Sequence, residues 1–426
     1  MQYLRSPLFP ISLLSLLFLL FQWKTILHTP APGTDFSIYY HAAGQFKDNP
    51  SGLYQSTQTA FDQYLYPPPS ILLFRIFSLF PERTSYFIFT GTMYLSLLAA
   101  LLTTQSLITQ SLTPKSPTHQ PLTTQSITAQ PPTHQPHTTQ SLAGYLLFAF
   151  ASAPVYHNIS LGQINCLVLL LSMLYLYFGK KKPALAGLLL AAAIWIKIYP
   201  VLLLLPALLS REGRATFLFC MAGTALILVI TLPWVPLHLY VDFAKKMADL
   251  SRYTSAHIIN QSVTAFGIRG SIPFQRSFQW PNIYLVPGWL KITNYLIMAV
   301  VLVTTMAKAA SDRPIVWGAI ILAAGALFSP LGWGHAFVFC LPLLMISLER
   351  IERSIPRRPL NYALFFVTAL LFLIPVHNHP AFLDQWPALI QNIYYSRFLC
   401  ITLLLIFFAL HPSTAKEMQP QRITGK

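Results

Sequence analysis

Acidic residues are what this chain has least of. Of 426 residues only 12 are Asp or Glu, against 28 Lys and Arg, and charged residues of both signs make up 9%. A soluble domain carries about 25%, so this chain lacks the groups needed to cover a water-facing surface. The net charge of +16 would suit nucleic acid. However, Lys and Arg cluster in short loops between apolar runs, the pattern that orients membrane proteins, and nucleic acid is not expected as a partner. Cysteine is scarce too. Cys166, Cys220, Cys340 and Cys400 stand singly inside apolar segments, without metal-site spacing or a disulfide pattern, and are read as small core residues. No metal and no cofactor is expected.

Apolar sequence is plentiful: 54% of residues are hydrophobic and the mean hydropathy is +0.53. Apolar segments recur at about 8–27, 84–103, 142–157, 163–179, 183–197, 199–210, 215–233, 289–307, 314–329, 336–349, 359–376 and 397–411. They predict an all-α, polytopic bundle of about 11–13 membrane helices, with short interfacial helices in the external loops. The run at 8–27 exceeds the 7–15 apolar residues of a signal peptide and is expected to be a retained first helix. Several runs fall short of the roughly 20 residues of a straight crossing. Broken helices at membrane depth are tolerated only where they line a protein cavity, so a buried polar site is expected.

With the N-terminus inside, 16 of the 28 Lys and Arg fall in inside loops, provided that "YPPPSILLFRIFSLFP" (66–81) does not cross. It is read as a half-helix on the outer side. The chain then divides into residues 1–102, with the first helices and first external loop; a linker at 103–141; the remaining bundle at 142–411, with an external loop at 234–288; and a cytoplasmic tail at 412–426. The linker repeats TTQS and PTHQP with hardly a charge, a composition too polar to bury a core and expected to be disordered.

The outward acids on this topology are Asp35, Asp48, Asp62, Glu82, Asp242, Asp249 and Asp384. Asp35 lies nearest a membrane helix end, among Phe36, Tyr39 and Tyr40. A carboxylate at such a boundary can take a proton from a hydroxyl, or it caps a helix beginning at Phe36. Gln163 and Asn165 in "LGQIN" either bind sugar hydroxyls or satisfy a helix start. Lys197 in "AIWIKIYP" sits between two short apolar segments. Intramembrane lysines are functional by default, though a lysine can also snorkel to the interface. "NQSVTAFGIR" offers Asn260, Gln261, Ser262 and Arg269, and its Asn-x-Ser also reads as a glycosylation acceptor. "SPLGWGHAF" sets Trp333 beside His335, a pairing suited to sugar stacking plus hydrogen bonding.

In order, "DFSIYYHAA", "YPPPS", "LGQIN", "IKIYP", "NQSVTAFGIR" and "SPLGWGHAF" resemble the motif string of glycosyltransferase family 87, over about residues 30–345. The resemblance implies a GT-C fold and an inner-membrane, multi-pass hexosyltransferase, most often a mannosyltransferase, working on the extracytoplasmic side. It implies a polyprenyl-phosphate sugar donor, a lipid or glycan acceptor, and inverting displacement. It gives Asp35 the role of catalytic base. Lys197, Arg269, His335, Gln163, Asn165, Asn260, Gln261, Tyr39, Tyr66 and Trp333 become candidate donor and substrate contacts. The family often has two adjacent histidines where this chain has His335 followed by Ala336. A transporter or flippase, or a non-catalytic membrane subunit, would share the composition. The hydropathy shows no repeated halves of the kind transporters carry.

Overall fold

A computed structural model describes residues 8–28, 34–54, 63–112, 139–179, 181–211, 213–309, 314–354, 359–375 and 381–410. The expected tail at 412–426, and Asp62, lie outside the described residues.

The first apolar run forms α1 (Leu8–His28). Asp35 lies in the first turn of α2 (Thr34–Gln45), where the helix dipole favours negative charge. Three prolines, which cannot donate to a helix ladder, precede α3 (Ser70–Phe77). Its eight residues span about 12 Å, so it is a half-helix and not a span. It buries Ile71 and Phe74 and exposes Ile76.

α4 (Glu82–Leu112) runs for 31 residues, which corrects the expected linker. Leu97, Ala100, Leu101, Thr104 and Ile108 are all buried, and their spacing keeps one helix face on the core. The apolar stripe thus persists under the TTQS repeat and carries the helix through it. At the other end Thr139 already opens α5 (Thr139–Ala151). Residues 113–138 lie outside the described residues.

α6 (Ala153–Leu161) and α7 (Asn165–Phe178) form a broken pair bent by 119°. α8 (Pro183–Ile196) ends at Lys197. A 3₁₀ turn, Tyr199–Leu203, and α9 (Leu204–Leu209) follow. α8 packs along α10 (Arg214–Thr231). At their contact a Cβ on Gly187 would stand 2.6 Å from the Cys220 nitrogen, the close approach that small residues permit between membrane helices.

The 234–288 loop is ordered. It holds α11 (His238–Leu250) and α12 (Val263–Arg269), and an antiparallel pair, β1 (Tyr253–Ser255) with β2 (Ile283–Leu285), in which Thr254 faces Tyr284. This small sheet corrects the all-α expectation. Tyr, Thr and Ile favour strands, and a folded loop must pair its buried backbone groups.

The chain ends in α13 (Gly288–Ala309), α14 (Pro314–Phe328), a 3₁₀ turn at Gly334–Cys340, α15 (Leu341–Ser354), α16 (Pro359–Leu373), α17 (Ala388–Tyr395) and α18 (Arg397–Leu410). α14 is hydrophobic all round, as a central helix is, and is buried at every position from Gly318 to Phe328. Cys166, Cys220 and Cys340 are buried as expected, whereas Cys400 is exposed on α18.

By length and composition three described stretches suit a membrane crossing: Glu82–Ser111, Arg214–Thr231 and Gly288–Ala307. There are five if the bent pairs α6–α7 and α17–α18 each make one span. Of the other apolar runs, the one in α1 makes a helix of 21 residues, and the rest form shorter helices. α8, with 14 residues, reaches about 21 Å, against a hydrocarbon core of about 30 Å. The chain is a largely helical membrane protein whose full-length spans are fewer than its apolar runs.

Candidate active site

Breaks in helices build the site. At the bend between α6 and α7, Gly162 adopts φ 74°, ψ 41°, the left-handed conformation that closes helices and suits glycine. The Gln163 amide returns to the Asn158 carbonyl at 2.7 Å, and Asn158 Nδ2 donates to the Gln163 carbonyl at 2.9 Å. The turn is therefore pinned from both sides. It also lies hard against α2: a Cβ on Gly162 would be 2.4 Å from the Cβ of Phe36. Phe36 is itself fully buried between Tyr86, at 5.5 Å between centroids, and Phe89, at 5.2 Å. The residue beside Phe36 is Asp35, and the residue after Gly162 is Gln163. Their close approach follows from that glycine.

Gln163 Nε2 donates to Asp35 Oδ2 at 2.5 Å. Its Oε1 accepts from the Tyr66 hydroxyl at 2.8 Å and from Lys197 Nζ at 3.2 Å. Two donors converge on the amide oxygen, so the amide nitrogen must face the carboxylate. Tyr66 has one hydroxyl proton and gives it to Gln163, so its oxygen accepts from Tyr39 at 2.7 Å. Burial, with smaller contributions from Tyr66 and Asp35, raises Tyr39 well above the usual phenol range. Burial does the same for Tyr66, aided by Asp35 and opposed by the Tyr39 hydrogen bond. Both tyrosines stay protonated and act as donors.

Lys197 follows α8 in extended conformation, where the helix gives way to the 3₁₀ turn at Pro200. Its Nζ donates to Asn165 Oδ1 at 2.6 Å as well as to Gln163. It also sits over the rings of Tyr66, at 5.3 Å, and Tyr199, at 5.4 Å, an arrangement that stabilises a cation. Two of the ammonium's three donors are met by amide oxygens. Asn165 Nδ2 reaches the His335 carbonyl at 3.2 Å. The His335 ring is buried, and its Nδ1 has no hydrogen-bond partner among the described residues.

These groups share one cavity of about 510 Å³. Asp35, Tyr39, Tyr66, Gln163, Lys197 and His335 form polar wall, Phe243, Met247, Leu250 and Ile259 form apolar wall, and Trp280 and Trp333 are aromatic lining. Asn165 touches the site through Lys197 but does not line the cavity.

Three expected contacts are placed elsewhere. Arg269 is 1% exposed and spends its guanidinium on the scaffold. Nε donates to Asn392 Oδ1, Nη1 to the His257 and Asn260 carbonyls, and Nη2 to Ser396 Oγ. It thereby ties α12 to the α17–α18 break. Asn260 donates to Thr254, Ser255 and Pro330 and bridges to Trp333. Gln261 donates to the Ile258 and Tyr395 carbonyls and accepts from the Phe398 amide. These three buried polar groups must be satisfied internally, and that is how "NQS…R" is used. Asn260 is fully buried, so its Asn-x-Ser offers no glycosylation acceptor. Tyr199, Trp280 and the lining of α11 were not anticipated. Tyr199 and Trp280 carried a signal, being aromatics beside Pro200 and Pro281 where the chain cannot continue regular structure.

A carboxylate and a lysine are thus bridged by one amide inside a largely apolar cavity of a helical membrane protein. The chain belongs to glycosyltransferase family 87, which it matches over residues 64–331. No curated protein matches it. The matched stretch includes Tyr66, Gln163 and Lys197 but not Asp35 or His335. The 2.5 Å bond from Gln163 joins Asp35 to the matched part of the chain.

Proposed function

We propose that this glycosyltransferase moves a hexose, most simply mannose, from a polyprenyl-phosphate donor to an extracytoplasmic acceptor, with inversion and with Asp35 as base. The proposed setting is a multi-pass GT-C bundle in the inner membrane, with the cavity opening on the outer side. The observation that carries this is the Asp35–Gln163–Lys197 chain in one cavity. A base and a cation are held apart by an amide that bonds both, so neither neutralises the other by direct contact.

In this mechanism Asp35 takes the proton of an acceptor hydroxyl. The oxygen attacks the anomeric carbon, the new C–O bond forms on the face opposite the phosphate, and the old C–O bond breaks. The electron pair leaves on the polyprenyl phosphate. Lys197 stabilises the charge that develops there, as preorganised cations do for leaving phosphates. The apolar wall from α11 and Ile259 receives the first isoprene units. Gln163 holds Asp35 in register, and Tyr39 and Tyr66 hold Gln163.

The test is transfer from radiolabelled polyprenyl-phosphate mannose to a panel of lipid and oligosaccharide acceptors by purified protein. Asp35→Asn should lower kcat by about 10²–10⁴-fold while still binding donor. Lys197→Met should weaken donor binding and lower kcat together. Wild-type turnover by Asp35→Asn would remove the base from this mechanism.

A further inference from the structure

The cavity has an aromatic wall that the steps above leave unused. Trp280 and Trp333 line it together, with ring centroids 5.5 Å apart and planes tilted by 41°. His257 packs edge-on against Trp280 at 5.4 Å. Even so, Trp280 remains 50% exposed, so a large part of it is open to a ligand. Half-exposed tryptophans commonly anchor membrane proteins at the interface, and Trp234, Trp289 and Trp386 have similar exposure. Of these four, Trp280 is the one that lines the cavity.

Its loop is also held by hydrogen bonds from neighbouring segments. Ser255 Oγ donates to the Pro281 carbonyl at 2.7 Å, and the Ala256 amide donates to the Asn282 carbonyl at 2.9 Å. Asn282 takes the left-handed φ of 44° and donates from Nδ2 to the Arg276 carbonyl at 2.6 Å. β2 begins at the next residue and pairs with β1. The indole is thus a preorganised platform, the property that lowers the ordering cost of binding.

We propose that Trp280 is the stacking platform of an acceptor subsite, and that the acceptor presents a pyranose ring there with its reacting hydroxyl directed toward Asp35. This rests on the transferase function proposed above. The chemistry is complementary. One face of a pyranose is lined by C–H bonds carrying partial positive charge, and the face of an indole carries the negative part of its quadrupole. Pockets for small ligands run to roughly 300–1,000 Å³. A cavity of about 510 Å³ has room for an acceptor ring beside the donor sugar.

The experiment is saturation-transfer NMR on the purified full-length protein, with methyl α-mannopyranoside, methyl β-glucopyranoside and methyl β-galactopyranoside as probes. It is run in parallel with acceptor and donor KM. Wild type and Trp280→Phe should saturate the C–H protons of one sugar face. Trp280→Leu should lose that signal and raise acceptor KM on the order of tenfold, with donor KM unchanged. Trp289→Leu, outside the cavity, should behave as wild type. Sugar binding and acceptor KM that survive Trp280→Leu would overturn the subsite, as would an equal loss in Trp289→Leu. Trp280-dependent sugar binding by a wild type that transfers nothing from the polyprenyl donor would support the subsite and remove the proposed donor. Transfer to acceptors independent of Trp280 would do the reverse.

Discussion

Replacing Gly162 by alanine tests whether the bend between α6 and α7 sets the approach of Asp35 to Gln163, and with it the proposed transfer. Two penalties combine. A residue with a Cβ in the left-handed region costs about 1–2 kcal/mol. The new methyl carbon would also sit 2.4 Å from Phe36 Cβ and 3.2 Å from the Phe36 nitrogen. Carbon atoms pack at about 3.5–4.0 Å, so α2 must retreat by roughly 1 Å or the bend must open. Phe36 is buried against Tyr86 and Phe89 and cannot turn aside, and overpacking of this kind costs about 1–3 kcal/mol. The total loss of stability should be about 2–5 kcal/mol. Because Asp35 is the neighbour of Phe36, its bond to Gln163 lengthens, and a misplacement of about 1 Å can cost 10²-fold in rate. The control is Gly44→Ala on the same helix, where a Cβ meets nothing within 4 Å. That change should be neutral or stabilise by about 0.5–1 kcal/mol. Thermal midpoint in detergent and transfer rate are measured for both. Gly162→Ala with the midpoint and rate of Gly44→Ala would refute the argument.

Tyr66→Phe removes the hydroxyl that locks the Gln163 amide. Two hydrogen bonds are lost, the one given to Gln163 and the one accepted from Tyr39, and the buried Tyr39 hydroxyl left behind costs about 1–3 kcal/mol; kcat should fall roughly two- to tenfold and the thermal midpoint should drop by a few degrees, whereas an unchanged kcat would show that Lys197 alone orients the amide. Arg269→Lys cannot reproduce four fork-geometry contacts, and each buried partner left unpaired costs about 1–3 kcal/mol. The thermal midpoint should drop while donor and acceptor KM of the surviving protein hold, and a raised KM at an unchanged midpoint would return Arg269 to the substrate.

The sequence made legible whatever depends on local chemistry. The carboxylate beside aromatics, the lysine at a helix break and the short helices around a polar site could be found because acids and intramembrane cations are rare here. Asp35, Gln163, Lys197 and His335 do meet in one cavity. What could not be read was which polar residues face a ligand and which face the scaffold. Arg269 and Lys197 look alike along the chain, as basic residues near motif ends. One is consumed by Asn392, Ser396 and two carbonyls, and Asn392 and Ser396 lie more than a hundred residues away. The other keeps its place in the cavity. The orienting role of Gln163 was hidden for the same reason, since it depends on Tyr66 and Lys197 arriving from separate segments. The reach of α4 into the Thr/Gln repeat was missed because composition was weighed over the whole tract, while the buried stripe continued through its first part.

The length of α4 has a consequence of its own. Its first residue, Glu82, receives a hydrogen bond from Ser37 of α2 and so stands beside the helix that carries Asp35. Its last residue is Leu112, the end of a 31-residue helix and about 45 Å away along a straight axis. The repeat-rich sequence begins within α4, at Thr103, about 30 Å from Glu82, and the part of it beyond Leu112 starts a full membrane thickness from Asp35. Duplication or loss of the units beyond Leu112, to which repeated sequence is prone, can drift without reaching Asp35, whereas the first TTQS unit is held in α4 with Thr104 in the core. For the same reason the part beyond Leu112 is the natural place to splice a reporter or an affinity handle into a working enzyme.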